Sequence, residues 1–482
     1  MRRALLDRPL VHGPWTHAWW RGDRALAECF GEAPTFASLE DTAAALDASR
    51  FDWRPALARH DLPEDGLVVL AGQQPVLAGG PGFVAHKAAT AIRLAALLEE
   101  RWRRPVRAVF LIATDDHDSS EIDHIDYIST STGSLSRVSC AVRPGSDSFH
   151  RSVWDSASLA ETLVSVSPGT DFDDFLNGTY KVPEHFLRLL RATYRDHDLH
   201  QIEAHRLNPA AREIIERALR EGEGLCAELR AGAARLSGVD MPASFDPQDP
   251  RPLVLESRAG RRRRLPAGDD DALARLAEHF DDFSPQAALR PIVQAAALPV
   301  VAQVVGPSET LYLGQARGLH DYFDVVPPVL VPRLEATRVS ADELSAIGDE
   351  PSRAADLLDG PEATRALRSA EASFVDSARA FGRHVEDADA GLQGKVRRWL
   401  EKVEQGAHRL AEAPTWRGSG AGRRLQALRP RGRPQDTVLA WVPDAWSADD
   451  PAGWGSHIVS LSAPLEPPRH VLHAYPSERD DG

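Results

Sequence analysis

The sequence LVVLAGQQ at residues 67–74 is an apolar run that ends in a glycine and two glutamines, and it opens the stretch that decides the fold. A turn (GGPG, residues 79–82) and a helical pattern follow. A second apolar run, VRAVFLIA at residues 106–113, then ends in DDHD at residues 115–118. This order of strand, helix and strand predicts a βαβ unit. Because open α/β sheets bind ligands beyond the carboxyl ends of their strands, we expect a site where these two strands end.

The segment between the strands predicts an amphipathic helix with an anion site at its start. Its apolar residues recur at spacings of three and four, which indicates one buried face; they are Val84, Ala88, Ala91, Ala95, Leu98 and Trp102. His86 lies about 200° round the helix from Val84 and therefore off that face. Unpaired N–H groups and the dipole favour an anion at a helix start. We predict a phosphate cradle of glycines, including Gly80, with His86 and Lys87; the alternative is an ordinary turn with solvated side chains.

Seven ionisable side chains crowd the ten residues after the second strand: Asp115, Asp116, His117, Asp118, Glu121, Asp123 and His124. They would repel one another unless a cation, a basic ligand or a proton intervenes. The cluster is therefore interpreted as orienting a nucleotide or an amine substrate, or as holding Mg²⁺ through its carboxylates. A transition-metal site of His117, Asp118 and His124, or a solvated acidic loop, are the alternatives. The spacing matches no standard metal signature, so no metal ligand is assigned.

Several segments resemble the motifs of the bacillithiol-synthesis cysteine-adding enzymes, the BshC family. The first half of the chain contributes Gly72-Gln73-Gln74, Gly80-Pro81 with His86-Lys87-Ala88, and Asp116-His117-Asp118 with Glu121-Ile122-Asp123-His124. The second half contributes LRPIVQ (289–294) with GPSE (306–309), PPVLVPR (327–333) and, more loosely, PRGRPQD (430–436). The motifs follow the order that they have in the family, which makes the set far more specific than any one motif.

The resemblance implies an α/β fold with a Rossmann-like, nucleotidyltransferase-type core, helical connecting insertions and a C-terminal coiled-coil arm. It also implies a ligase that joins the carboxyl group of cysteine to the amine of glucosaminyl-malate in the last step of bacillithiol biosynthesis. The predicted catalytic residues are His86, Lys87, Asp116, His117 and Asp118. The predicted substrate- or nucleotide-binding residues are Gly72, Gln73, Gln74, Gly80, Asp115, Glu121, His124, Arg290, Gln294, Gly306, Glu309 and Arg333.

Amide formation requires an activated carboxyl group, because a carboxylate is a poor electrophile at neutral pH. We therefore expect ATP or ADP as cofactor, with Mg²⁺ as an option, and His117 as the base that deprotonates the attacking amine. Two other functions remain open. One is another adenylate-forming amide ligase of the pantothenate-synthetase type. The other is a metal-dependent hydrolase that uses the Asp/His cluster.

Composition favours a cytoplasmic enzyme that acts on small molecules. The net charge of −15 argues against nonspecific binding of nucleic acid, which needs a basic surface. Three cysteines are too few for a disulfide framework, which indicates a reducing compartment. No apolar run approaches the roughly 20 residues that span a bilayer, so no membrane association is expected.

The pattern along the chain predicts five parts. The core is expected to comprise residues 1–145, which end in a β-hairpin at 125–145, and residues 281–340. A helical connecting insertion is predicted at 146–280, a coiled-coil arm at 341–415, and a segment that returns to the core at 416–482. The arm is predicted as a long helix in an antiparallel or intermolecular coiled coil, and we expect it to support a homodimer. Its apolar residues recur at spacings of three and four; they are Phe374, Ala378, Phe381, Val385, Ala388 and Leu392, continued by Val396, Trp399 and Val403.

Overall fold

The structure is a computed structural model that describes residues 3–6, 9–13, 15–116, 118–129, 132–142, 148–155, 159, 161, 181–246, 253–258, 261–266, 268–347, 358, 362–388, 393–411, 427–430, 433–446 and 450–474. The strands in this part of the chain are β1 (Arg3–Leu6), β2 (Leu67–Gln73), β3 (Val106–Ile112), β4 (His124–Ile128), β5 (Leu135–Ser139), β6 (Leu199–Glu203), β7 (Val254–Arg258), β8 (Arg261–Arg264), β9 (Phe283–Pro285), β10 (Val300–Val305), β11 (Val329–Pro332), β12 (Glu335–Arg338) and β13 (His470–His473).

The helices of the same ranges precede, follow or connect these strands. They are α1 (Trp15–Trp20), α2 (Arg24–Phe30), α3 (Phe36–Asp47), α4 (Arg54–Arg59), α5 (Gly82–Trp102), α6 (Val182–Thr193), α7 (Arg212–Arg220), α8 (Gly222–Ser237), α9 (Asp270–Glu278), α10 (Arg290–Ala297), α11 (Pro307–Ala316), α12 (Gly318–Phe323), α13 (Ala341–Ile347), α14 (Glu362–Ala388), α15 (Gln393–Ala411), α16 (Val442–Trp446) and α17 (Pro451–Leu461). No helix in the described ranges is both long and apolar enough to cross a membrane.

The predicted Rossmann-like core is confirmed. Its central sheet, over the residues described, has five parallel strands in the order β11-β10-β2-β3-β6. The chain builds outward from β2 through β3 to β6, then returns to place β10 and β11 on the other side of β2. The strand order therefore reverses between β2 and β10. Such a switch point opens a crevice at the carboxyl ends of the strands, where α/β proteins bind ligands.

Both faces of the central sheet are buried, because successive side chains of β2 pack on opposite sides of it. Leu67, Val69 and Ala71 of β2 belong to the apolar cluster that contains the buried face of α5. Val68 and Leu70 pack on the opposite side, in the cluster that contains α7 and α10. Because successive strand residues point to opposite faces, a continuous apolar run is the pattern of a strand covered by helices on both sides.

Smaller sheets surround the core. β13 pairs with β1 and β12, and β8-β7-β9 form an antiparallel sheet. The β-hairpin predicted after the acidic cluster is present as β4 and β5. The segment predicted as a helical insertion, residues 146–280, also contains strands: β6 pairs in parallel with β3 as an edge strand of the core, and β7 pairs with β8. β6 is short, with one of its five residues fully buried, so its apolar pattern is weak.

The arm consists of two helices in the described residues, which corrects the single long helix predicted from the apolar repeat. α14 and α15 pack antiparallel, with Arg379 2.8 Å from Glu404 and the ring of Phe381 5.7 Å from that of Trp399. The antiparallel packing of the two helices excludes one continuous helix over the apolar repeat. Phe381 is 59% exposed and Trp399 39% exposed, so the described residues leave this apolar face partly uncovered. The coiled-coil homodimer stays a prediction.

Candidate active site

Lys87 lies at the centre of the crevice between β2 and β10. Its ammonium group donates to the Gly72 carbonyl (2.9 Å) and the Gln73 side-chain oxygen (3.0 Å), both at the end of β2. The Nζ atom lies 2.6 Å from Oε2 of Glu309 on α11. The Lys87 side chain is 2% exposed, and burial lowers its pKa although the Glu309 carboxylate opposes that shift. Lys87 is therefore a buried cation that brings together predicted residues at the end of β2, Gly72 and Gln73, and one after β10, Glu309.

Glu309 also joins the start of α11 to this group. The helix begins at Pro307 with Gly306 as its N-cap, and the Gly306 N–H donates to Oε2 of Glu309 at 2.7 Å. A Cβ atom built on Gly306 would lie 3.4 Å from Oε2 of Glu309 and 3.8 Å from Nε of Arg333. Gly306 therefore lies next to both predicted residues, the Glu309 carboxylate and the Arg333 guanidinium.

His86 and Arg333 meet at a residue that was not among the predicted site residues. Nδ1 of His86 lies 3.2 Å from Oδ2 of Asp436, and Nη1 of Arg333 lies 2.7 Å from the same oxygen. The three side chains are nearly inaccessible to solvent. Because an ionised carboxylate only accepts hydrogen bonds, Nδ1 of His86 donates and Nε2 is the acceptor of the neutral ring.

The charges of this buried triad follow from competing effects. Burial would raise the pKa of Asp436, but the Arg333 guanidinium and the His86 imidazole outweigh it and hold that pKa below its ordinary value. Burial lowers the pKa of His86, and Asp436 opposes only part of that shift. The ring of Phe83 lies 5.4 Å from the Arg333 guanidinium and 5.5 Å from Nζ of Lys87, which connects the two groups through cation–π contacts.

The glycine-rich turn before α5 serves the packing of the C-terminal segment, which corrects its interpretation as an open phosphate cradle. A Cβ atom on Gly79 would lie 2.6 Å from the Trp441 ring, and one on Gly82 would lie 3.2 Å from Cα of Asp436. The Gly82 N–H donates to the Leu439 carbonyl. Gly80 is buried, with φ +79°, and a Cβ atom there would meet Val76 and Val84. His86 lies off the apolar stripe as predicted, but this segment covers it.

The acidic cluster meets the end of β2 through hydrogen bonds. Nε2 of Gln74 donates to Oδ2 of Asp116 at 3.1 Å and also to Glu121. Arg290, at the start of α10, lies 3.2 Å from Asp116 and 3.4 Å from Asp115. The cation that the crowded carboxylates require is therefore supplied, in part, by a side chain of the protein itself. Gln294 lies one turn beyond Arg290 on the same helix.

Other predicted members of the cluster make local contacts. The Asp118 carboxylate accepts from the N–H and O–H groups of Ser120 and caps a short 3₁₀ helix. Nδ1 of His124 lies 2.8 Å from the Asp123 carboxylate. Asp118 is exposed and its contacts are those of a helix cap, so the structure gives no support to its catalytic assignment. His117 lies outside the described residues. Among the residues that are described, no three or more His, Cys, Asp or Glu side chains are arranged to hold a metal ion.

Sequence reasoning missed the parts of the site that depend on distant segments. Asp436 ended a loosely matched motif, but no local pattern indicated that it would lie against His86, 350 positions earlier. Phe83 follows the glycine turn without any signal that it would contact two cations.

Comparison with known proteins agrees with this architecture. Residues 60–334 match the family model described as the N-terminal Rossmann-like domain of bacillithiol biosynthesis BshC. Three similar proteins share the name "Putative cysteine ligase BshC". The one from Solibacter usitatus is 26% identical over 379 residues, which cover 74% of this chain and 71% of the relative. The one from Shouchella clausii is 26% identical over 442 residues, 78% of each chain. The one from Geobacillus kaustophilus is 28% identical over 366 residues, 68% of this chain and 66% of the relative.

Proposed function

The chain belongs to the bacillithiol-biosynthesis family BshC, and we propose that it is a ligase that joins the carboxyl group of L-cysteine to the amine of glucosaminyl-malate. The new bond is an amide. The observation that carries the proposal is the convergence of charged side chains beyond β2, β3 and β10, with Lys87, Glu309, Asp116 and Arg290 all at the carboxyl ends of these strands. The names of the relatives support cysteine as a substrate.

We propose that a nucleotide activates the carboxyl group of cysteine. ATP, when bound, would supply the phosphoryl or adenylyl group that converts the carboxylate into a reactive mixed anhydride, with ADP or pyrophosphate as the leaving group. The residues fit an anion there, because Lys87 and Arg333 are two cations that lie on the same ring of Phe83. Each cation is held in place by a carboxylate, Lys87 by Glu309 and Arg333 by Asp436, so both are preorganised for negative charge that develops during reaction.

Asp116 and Glu121 are the proposed holders of Mg²⁺. Both carboxylates accept a hydrogen bond from the same Gln74 amide nitrogen, so their oxygens lie close together. Carboxylate oxygens are the protein ligands that Mg²⁺ prefers, and it keeps several of its waters. Arg290 already balances part of the charge of Asp116, so this carboxylate has less negative charge to offer a Mg²⁺ ion. A site with few protein ligands for the ion is therefore favoured.

The attacking amine must lose its proton before it can form the amide. We propose that Asp115 holds this group as an ammonium and that His117 accepts the proton. Asp115 is 3% exposed, and neither of its carboxylate oxygens accepts a hydrogen bond from a described residue. A buried acceptor without a hydrogen bond costs free energy, so a bound N–H donor would be stabilised there.

The test is to incubate the purified full chain with L-cysteine, glucosaminyl-malate, ATP and Mg²⁺, and to detect the conjugate by mass spectrometry. Omission of each component in turn shows which are required. Formation of the conjugate without ATP would refute the nucleotide activation but leave the proposed ligase activity intact. A folded protein that forms no conjugate in the complete mixture would refute the proposed ligase activity.

A further inference from the structure

Tyr312 on α11 is a half-buried side chain that follows Glu309 by three positions. Residues three positions apart lie on the same face of a helix, so Tyr312 shares the face from which Glu309 reaches Lys87. The neighbouring residues Thr310 and Leu313 are buried and anchor the other side of the helix. Tyr312 therefore lies on the side of α11 that borders the crevice.

The Tyr312 hydroxyl makes no hydrogen bond within the part of the chain that the structure describes. Its oxygen is also not one of the fully enclosed polar atoms. In contrast, the hydroxyl of Tyr194 donates to the Ala85 carbonyl, and that of Tyr322 donates to the Glu221 carboxylate. Because the hydroxyl of a packed tyrosine usually has a hydrogen-bond partner, an unused one beside the crevice fits contact with a bound ligand.

The ring of Tyr312 is held in position by its aromatic neighbour. Its centroid lies 6.1 Å from that of Phe245. The N–H of Phe245 donates to Oε1 of Gln315 at 2.8 Å, and the Phe245 carbonyl accepts from Nε2 of the same side chain at 2.8 Å. Gln315 is buried on α11 itself. The helix that carries Tyr312 thus also fixes the residue against which its ring packs, so the hydroxyl is preorganised.

Two charged groups of the candidate active site act on this hydroxyl. Burial raises the pKa of Tyr312, the Glu309 carboxylate raises it further, and the Arg290 guanidinium opposes the shift. The phenol therefore stays protonated at neutral pH and can donate. Glu309 pairs with Lys87, whereas Arg290 lies 3.4 Å from Asp115. The hydroxyl is thus near the group assigned to the activating phosphate and near the group assigned to the amine.

The carboxyl carbon of cysteine must lie between these two groups, because its bond to the leaving group breaks after its bond to the amine forms. When the amine nitrogen attacks, the C–N bond forms and the π electron pair of the C=O bond moves onto oxygen. The pair returns as the leaving group departs, and the nitrogen gives its proton to the base. A fixed donor beside that oxygen stabilises the charge only while it exists, which lowers the barrier without tightening substrate binding.

We propose that Tyr312 donates a hydrogen bond to the carboxyl oxygen of cysteine while that oxygen carries the negative charge of the tetrahedral intermediate. This inference rests on the proposed function, since it adds a catalytic residue to that reaction. Tyr312 keeps its proton throughout, and it contributes little to the binding of the ground-state substrate.

The first test measures steady-state kinetics of the full chain. Tyr312→Phe removes the hydroxyl and keeps the ring that packs on Phe245. It should lower kcat by about 10²–10³-fold with little change in the KM for cysteine, as expected for an interaction made only in the transition state. Tyr322→Phe is the matched control and should keep the wild-type kcat, because that hydroxyl contacts Glu221. An unchanged kcat in Tyr312→Phe, or a raised KM alone, would overturn the inference.

The second test probes the hydroxyl without ligation. The probe is a phosphonate analogue of cysteine, in which a tetrahedral anionic group replaces the carboxyl group. Isothermal titration calorimetry should show that Tyr312→Phe weakens its binding at least about 10-fold, the scale of one hydrogen bond to a charged group, and that Tyr322→Phe does not. Equal affinity of the wild type and Tyr312→Phe for the phosphonate would overturn the inference.

The two tests separate this inference from the ligase activity. Phosphonate binding that depends on Tyr312, in a protein that forms no conjugate, would support the hydroxyl as a donor to a tetrahedral anion and refute the proposed ligase. Conjugate formation that Tyr312→Phe leaves unchanged would overturn the inference and leave the proposed function intact.

Discussion

Nζ of Lys87 lies 2.6 Å from Oε2 of Glu309, so an ion pair with a buried lysine joins the helix after β2 to the helix after β10. These two strands flank the position where the strand order reverses. The pair therefore crosses the crevice in which α/β proteins bind their ligands. Because Lys87 is almost fully buried, the carboxylate compensates a charge that would otherwise be expensive to desolvate.

Removal of either predicted cradle residue should impair catalysis more than folding. His86→Ala and Lys87→Ala are each expected to reduce turnover by at least ~10²-fold, the scale of losing one preorganised group that stabilises charge. Lys181→Ala is the matched control, because Lys181 is exposed at the start of α6. Turnover numbers and circular dichroism spectra check the prediction. Near-normal turnover in both active-site variants would show that neither side chain takes part in the reaction.

Asp436→Asn should destabilise the protein by about 3 kcal/mol, because it leaves the buried Arg333 guanidinium without its carboxylate partner. The control is Asp444→Asn, which breaks the half-exposed ion pair with Arg338 and should cost less than about 1 kcal/mol. Urea denaturation gives the free energy of unfolding of each variant. Equal losses in the two variants would contradict a special role for the buried triad.

Stability should fall as the pH is lowered from 6.5 towards 4, because several buried histidines stay neutral in the folded protein. Burial lowers the pKa of His320 from 6.5 to about 3 and that of His185 to about 4. Between pH 6.5 and the lowered pKa of each histidine, the unfolded chain binds a proton that the folded chain does not. The stability that each neutral histidine contributes is therefore complete above pH 6.5 and is lost as the pH falls below it.

The contribution of one histidine can be isolated by substitution. His320→Gln should reduce the pH dependence of the unfolding free energy by up to about 1.4 kcal/mol per pH unit in this window, the value for one proton. His279→Gln, at an exposed position, is the control and should leave the slope unchanged. If the slope is the same in this variant as in the wild type, the pKa of His320 does not differ between the folded and the unfolded protein.

The exposed aromatic face of the arm should mediate association of two copies. Phe381→Asp is expected to convert a dimer into a monomer, because it places a charge on the face formed with Trp399. Ser373→Asp, also exposed on α14, adds the same charge and serves as the control. Light scattering coupled to size-exclusion chromatography measures the mass. A Phe381 variant with the mass of the wild type would exclude this face as the dimer interface.

His117 should be the group whose ionisation controls the rate on the acidic side of the pH profile. His117→Gln is expected to lower kcat by about 10²–10⁴-fold, the contribution of a general base, and to remove that ionisation from the profile. His124→Gln is the control, since His124 pairs locally with Asp123. An unchanged acidic limb in the His117 variant would identify another base.

The sequence by itself determined the core and the candidate site residues at its strand ends. The apolar runs of β2 and β3 and the polar residues that follow them are local patterns, so their period and length identify the βαβ unit. Parallel pairing then brings Gln74 and Asp116 to the same edge, where they hydrogen-bond. The family motifs were readable for the same reason, because each lies within a few consecutive residues.

Only the tertiary structure decided which side chains complete the site. Asp436 reaches His86 from 350 positions away, and Arg290 reaches Asp116 from 174 positions away. No local period connects these segments. The same holds for the turn at Gly80, where the glycines predicted to contact a ligand instead accommodate the C-terminal segment. A local sequence pattern records which face of an element is apolar, whereas the identity of the segment that covers that face depends on how the whole chain packs.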